Sequence, residues 1–71
     1  MIKVESSQIE KMGHEAATNT MVVEFKGGST YSYENVGSDM FHLIVHDTIS
    51  VGKAFNSLVK KFPALYPYKK V

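Results

Sequence analysis

At 71 residues the chain has room for one domain, residues 1–71, close to the size at which a single hydrophobic core is barely sufficient. It contains no cysteine, which excludes disulfides, thiolate nucleophiles and cysteine-based zinc sites and makes the cytoplasm the expected location. Net charge is only +1, yet all seven acids lie at or before Asp47 and five lysines follow it, so the first part carries −4 and the rest +5.

The opening "MIKVESSQIE" has no apolar run between a basic flank and a small-residue cleavage site, so no leader is expected, and no stretch approaches membrane-spanning length. "QIEKMGHE" reads as a first strand, with Ile9 and Met12 on opposite parity, which predicts a bulge or a late start. "AATN" supplies turn residues. "TMVVEFK" is the clearest strand, its Met21, Val23 and Phe25 facing one way and Val22, Glu24 and Lys26 the other.

Gly27 and Gly28 mark a hairpin whose loop length decides where Tyr31 and Tyr33 point. A two-residue loop pairs Glu24 with Tyr31 and Val22 with Tyr33, on the polar face. A three-residue loop, Lys26 to Gly28 with Gly28 left-handed, pairs Val23 with Tyr31 and Met21 with Tyr33, on the apolar face. The second register is expected, because so short a chain needs aromatic volume in its core.

Ser38 is the expected N-cap of a first helix, with Asp39 at its positive end and Met40, Phe41, Ile44 and Val45 as its buried stripe. Ser50 is the expected cap of a second, in which Val51, Phe55, Leu58, Val59 and Phe62 recur at helical spacing until Pro63 ends it. The opposite face carries Lys53, Ser57, Lys60 and Lys61, continued by Lys69 and Lys70 in the tail. The expected fold is therefore α+β, a three-stranded antiparallel β-meander followed by two α-helices packed on one face, βββαα.

Catalytic and metal-binding patterns are weak. His42 and His46 stand four apart, a spacing that puts two imidazoles on one helix face, but they point away from the buried stripe and would need His14 or Asp47 as a further ligand; no metal site is expected. "SVGK" matches the Ser-x-x-Lys signature of penicillin-interacting serine enzymes, yet a chain of this size has no room for the rest of that machinery, and Ser50 reads as a cap. "KGGS" and "VGK" lack the spacing of a phosphate-binding loop. No cofactor and no enzymatic activity are expected.

Tyrosine and lysine together carry the positive content. Tyr31, Tyr33, Tyr66 and Tyr68 offer rings on which bases stack, and clustered lysines release counterions when they meet phosphates. The competing reading is that Tyr31 and Tyr33 fill the core, "PALYPYKK" wraps it and the lysines form an ordinary solvated face. Arginine is absent, which removes the usual bidentate reader of guanine, so weak sequence preference is expected.

"VESSQIEKMGH", "VVEFKGGSTYSYENV" and "SVGKAFNSLVKKFPALYPY" together resemble the KTSC domain. The shared elements are Ser6 and Ser7 before Ile9, a strand ending in Phe25, the central Tyr31-x-Tyr33, and Ser50-x-Gly52 followed by Phe55 and Asn56. This chain departs from the family at His14, where tyrosine is common, and at Gly37, where proline follows the central valine. A role for a ring hydroxyl at position 14 therefore does not transfer. The resemblance implies a module found at the C-terminus of some lysyl-tRNA synthetases and as stand-alone proteins in bacteria and phages, and through that attachment it implies RNA as a ligand.

The resulting expectation is a small non-enzymatic module that binds RNA or single-stranded nucleic acid through Lys53, Lys60, Lys61, Lys69 and Lys70, with Tyr31, Tyr33 or the tail tyrosines near the bases. The alternative is a protein-interaction module, self-associating or a phage-encoded inhibitor of a host protein, docking through an open sheet face or edge. No membrane partner is expected, and no sequence feature points to a small-ligand pocket between sheet and helices.

Overall fold

The computed structural model describes residues 1–46 and 50–71. Its strands are β1 (Ile2–Lys3), β2 (Ile9–Glu15), β3 (Thr20–Phe25), β4 (Thr30–Tyr33) and β5 (Tyr68–Lys70), and its helices are α1 (Ser38–Val45) and α2 (Val51–Phe55), the latter continued by a π-helical segment, Asn56–Lys60. The strands form one antiparallel sheet in the order β1-β2-β3-β4-β5.

Strand β2 carries the irregularity its apolar parity calls for. Ile9 pairs with Phe25 and Lys11 with Glu24, so Glu10 is the extra residue of a bulge. The bulge lets Ile9 and Met12 both be fully buried, although they stand an odd number of residues apart.

The β3–β4 hairpin adopts the three-residue loop. Val23 lies opposite Tyr31 and Met21 opposite Tyr33. The loop closes by hydrogen bonds from the Phe25 N–H to the Ser29 carbonyl at 2.8 Å and from the Gly28 N–H to the Phe25 carbonyl at 2.9 Å. Gly28 takes φ 97°, a region that a side chain disfavours and glycine enters freely.

The sheet has five strands, where a three-stranded meander was expected. Strands β1 and β5 have two and three residues and no apolar alternation, so periodicity has nothing to register. Backbone hydrogen bonds to strands already formed define them instead. The tail that reads as "PYKK" pairs with β4, Tyr68 opposite Tyr33, Lys69 opposite Ser32 and Lys70 opposite Tyr31. Further bonds, from the Glu34 N–H to the Pro67 carbonyl and from the Val71 N–H to the Thr30 carbonyl, both 2.8 Å, fasten the two ends of β5.

Helix α1 begins at Ser38 with Gly37, not Ser38, in the N-cap position and no side-chain cap bond. Its buried side chains are Phe41 and Ile44, with Met40 and Val45 partly covered against the core. Ser50 does cap α2: its Oγ accepts from the Lys53 N–H at 3.1 Å. The apolar stripe of this second helix holds through Val51, Phe55 and Val59 and then fails, for Phe62 is 46% exposed. The Lys61 N–H donates to the Asn56 carbonyl five residues back, and one extra residue in the turn rotates the rest of the helix by about 100°. Pro63, which has no N–H, comes directly after Phe62.

Both helices cover the face that bears Met12, Met21, Val23 and Tyr33, and the core lies between. By strand alternation the opposite face carries Lys11, Val22, Glu24, Thr30 and Lys69. Among the described residues no helix is long and apolar enough to cross a membrane.

Candidate functional site

The short second helix leaves part of its sheet face uncovered, and the aromatic residues gather there. Phe25 at the end of β3, Tyr31 and Tyr33 on β4 and Tyr68 on β5 form one wall of a groove of about 540 Å³; Lys60, Pro63 and Tyr66 contribute from the helical side. That volume falls within the range of about 300–1,000 Å³ typical of small-ligand sites.

The wall is built by cross-strand pairing. Tyr68 stacks on Tyr31 with ring centroids 5.8 Å apart and 22° between planes, and meets Tyr33 at a tilt, 5.7 Å and 32°. Phe25 meets Tyr31 edge-on at 5.9 Å, and Phe55 meets Tyr33 edge-on at 5.2 Å from beneath. The rings thus run continuously from the core into the groove. Tyr33 is buried, Tyr31 and Tyr66 are half-buried, and Tyr68 is 56% exposed.

The phenol groups keep polar capacity in reserve. Among the described residues none of the four tyrosine hydroxyls makes a protein hydrogen bond, and none is a buried polar atom left without a partner, so they keep contact with solvent. Burial foremost, then the neighbouring phenols of Tyr68 and Tyr31, raise the pKa of Tyr33 above 10.0. It is therefore a neutral donor and acceptor at physiological pH. Lys60 is a cationic residue of the lining, and no Asp or Glu lines the groove among the described residues.

The seven residues singled out from sequence divide. Tyr31, Tyr33 and Lys60 line the groove, and Lys70 lies opposite Tyr31 on β5. Lys53 and Lys61 are exposed outside its lining. Lys69 and Lys70 do not extend the helix lysines as a single stripe, because adjacent residues of a strand point to opposite faces and Lys69 lies beside Ser32 on the other side of the sheet. Sequence reasoning missed Phe25, Ser29, Val59 and Pro63 as lining residues. Its available signal was the second Tyr-x-Tyr, Tyr66 and Tyr68, which repeats the spacing of Tyr31 and Tyr33.

The histidines are dispersed. His42 and His46 are exposed and stack at 5.8 Å on α1. His14 is committed elsewhere, its Nε2 donating to the Val36 carbonyl at 2.6 Å and its ring stacking on Phe41 at 5.2 Å. Asp47 lies outside the described residues.

The KTSC domain model matches residues 5–62. The chain belongs to the KTSC domain family. A protein of Tsukamurella paurometabola is 37% identical over 60 residues, covering 84% of this chain and 88% of its own. The crystal structure of a KTSC domain protein from Yersinia pestis superposes with a TM-score of 0.83 over 97% of this chain and 92% of that one. At 23% identity that likeness shows a shared fold. The KTSC match stops at Phe62, so Tyr66, Tyr68 and Lys70 of the groove and its rim lie beyond the matched residues.

Proposed function

We propose that this KTSC domain is a non-enzymatic module that binds RNA or single-stranded nucleic acid, with bases at the tyrosine groove and lysines on the backbone. The observation that carries the reading is the conjunction in one groove of Tyr31, Tyr33, Tyr66 and Tyr68 with Lys60. A base stacked on a protein ring gains about 1–3 kcal/mol irrespective of sequence, and an ammonium nearby attracts the phosphate that each base carries. Lys70, opposite Tyr31, and the exposed Lys53, Lys61 and Lys69 extend the positive charge beyond the groove. The face opposite the helices carries Glu24 beside Lys11, a mixed pair with no such preference for an anion.

The test is a fluorescence-anisotropy titration of a labelled single-stranded octanucleotide at several salt concentrations. If three to five lysines each neutralise a phosphate, log K falls against log salt with a slope of about −2 to −3.5. Tyrosine ring resonances should move in parallel NMR titrations. Absence of binding at low salt sinks the reading and leaves protein interaction as the class to pursue.

A further inference from the structure

Resting on that reading, we propose that the groove holds a single nucleotide unit, its base against the tyrosines and its phosphate on Lys60, so that the protein engages one base of a strand specifically in geometry and the rest only through charge.

Size sets the first limit. The whole domain measures 25 × 24 × 22 Å, and the groove, about 540 Å³, is a pocket beside one sheet edge. Sheet-faced single-strand binders spread successive bases over separate, spaced rings. Here Tyr68 stacks on Tyr31 and meets Tyr33 at a tilt, both with centroids under 6 Å apart, which leaves no gap for a base to enter between those rings. The four sheet-side rings act as one wall, and the Lys60, Pro63 and Tyr66 side is the other. The proposed occupant is one planar group lying between them.

Chemistry sets the second. A purely hydrocarbon occupant would leave the uncommitted hydroxyls of Tyr31, Tyr33, Tyr66 and Tyr68 covered and unpaired, at a desolvation cost. A nucleobase brings donors and acceptors on its edge. An organic cation, the usual guest of an aromatic cage, is opposed by the Lys60 ammonium and finds no lining carboxylate among the described residues. A planar ring with a polar edge and an attached anion satisfies all three features. Lys60 is exposed, forms no ion pair among the described residues, and so meets a phosphate without first breaking a bond.

The experiment uses the full chain and four probes: adenosine, adenosine 5′-monophosphate, inorganic phosphate and an octa-adenylate, each followed by tyrosine ring and lysine side-chain NMR shifts. The monophosphate should move the rings of Tyr31, Tyr66 and Tyr68 and compete with the octamer for them. Lys60→Ala should weaken the monophosphate about tenfold while leaving adenosine unchanged, and Lys11→Ala, on the opposite sheet face beside Glu24, should alter neither. Both substitutions are at exposed positions, and a retained fold is checked by the undisturbed methyl resonances of Ile44 and Val36, buried and outside the groove. Binding of the octamer without any effect of the monophosphate on the rings overturns the single-nucleotide site and leaves the broader reading standing. Equal shifts from inorganic phosphate alone overturn base recognition. No response to any probe overturns both.

Discussion

Tyr31 and Tyr68 stack 5.8 Å apart across the β4–β5 pairing, one in the central hairpin and the other near the end of the chain. The contact closes the sheet edge and completes the groove wall in one step. It joins Tyr31, within the KTSC match, to a tail segment beyond it.

Tyr68→Ala removes the stacking on Tyr31 and the tilted ring contact with Tyr33. Because Tyr68 is more than half exposed, the expected loss is about 1 kcal/mol, seen as a lower urea midpoint or a Tm drop of about 4–8 °C. Oligonucleotide binding should weaken more than stability does, since the ring is a whole panel of the groove. Tyr68→Phe should retain stability, and a stability loss as large as alanine's would show that stacking is not what the position supplies.

Gly52 is held by a close approach. A Cβ there would sit 3.0 Å from Ser6 Oγ, and that oxygen is itself fixed by the N–H groups of Gln8 and Ile9 at 3.2 and 3.3 Å. Alanine normally favours a helix over glycine by about 1 kcal/mol, but here we expect Gly52→Ala to destabilise by a similar amount. Combining it with Ser6→Ala removes the obstructing oxygen, so the double mutant should be more stable than the sum of the two losses. Additive losses in a urea denaturation cycle would dismiss the coupling.

Gly28 has no atom within 4 Å of a built Cβ and takes φ 97°. Substitution there is a pure backbone test. Gly28→Ala should cost about 1–2 kcal/mol through conformation alone, and Gly28→Asn less, because asparagine tolerates left-handed backbone better. The register Val23 to Tyr31 should survive in both, read from cross-strand nuclear Overhauser contacts.

The pKa of Tyr33 is raised in the folded protein, chiefly by burial. The folded state then holds its proton at pH values where the unfolded chain has released it, so this contribution to stability is fully present below about pH 10 and is lost as pH rises through the folded pKa. Urea midpoints measured from pH 8 to 11 should fall over the upper part of that range. Tyr33→Phe should flatten the alkaline slope, and an unchanged slope would assign it to other groups.

Much of the central fold is legible in the chain itself. Parity along "TMVVEFK", the left-handed need of a three-residue loop at Gly28 and the volume demand of a small core together select the register of Tyr31 and Tyr33. The misfit of Ile9 and Met12 to one strand face announces a bulge or a late start, of which the structure has the bulge, at Glu10, and Ser50 announces its cap. These are local rules, each satisfied within a few residues or one hairpin. The wide turn at Asn56–Lys60 was hidden because an apolar stripe is nearly the same for either helical geometry over so few residues.

The sequence by itself determined the α+β class, the central hairpin, the helix starts and the supply of tyrosine and lysine without cysteine or arginine. Only the tertiary structure decided that the tail becomes β5, that Tyr68 closes against Tyr31 and Tyr33, and that Lys60 enters the groove while Lys69 turns to the other face. The physical reason is that edge pairing is carried by backbone hydrogen bonds, which every residue can accept and every residue but proline can donate. Composition does not mark which strand end will receive them.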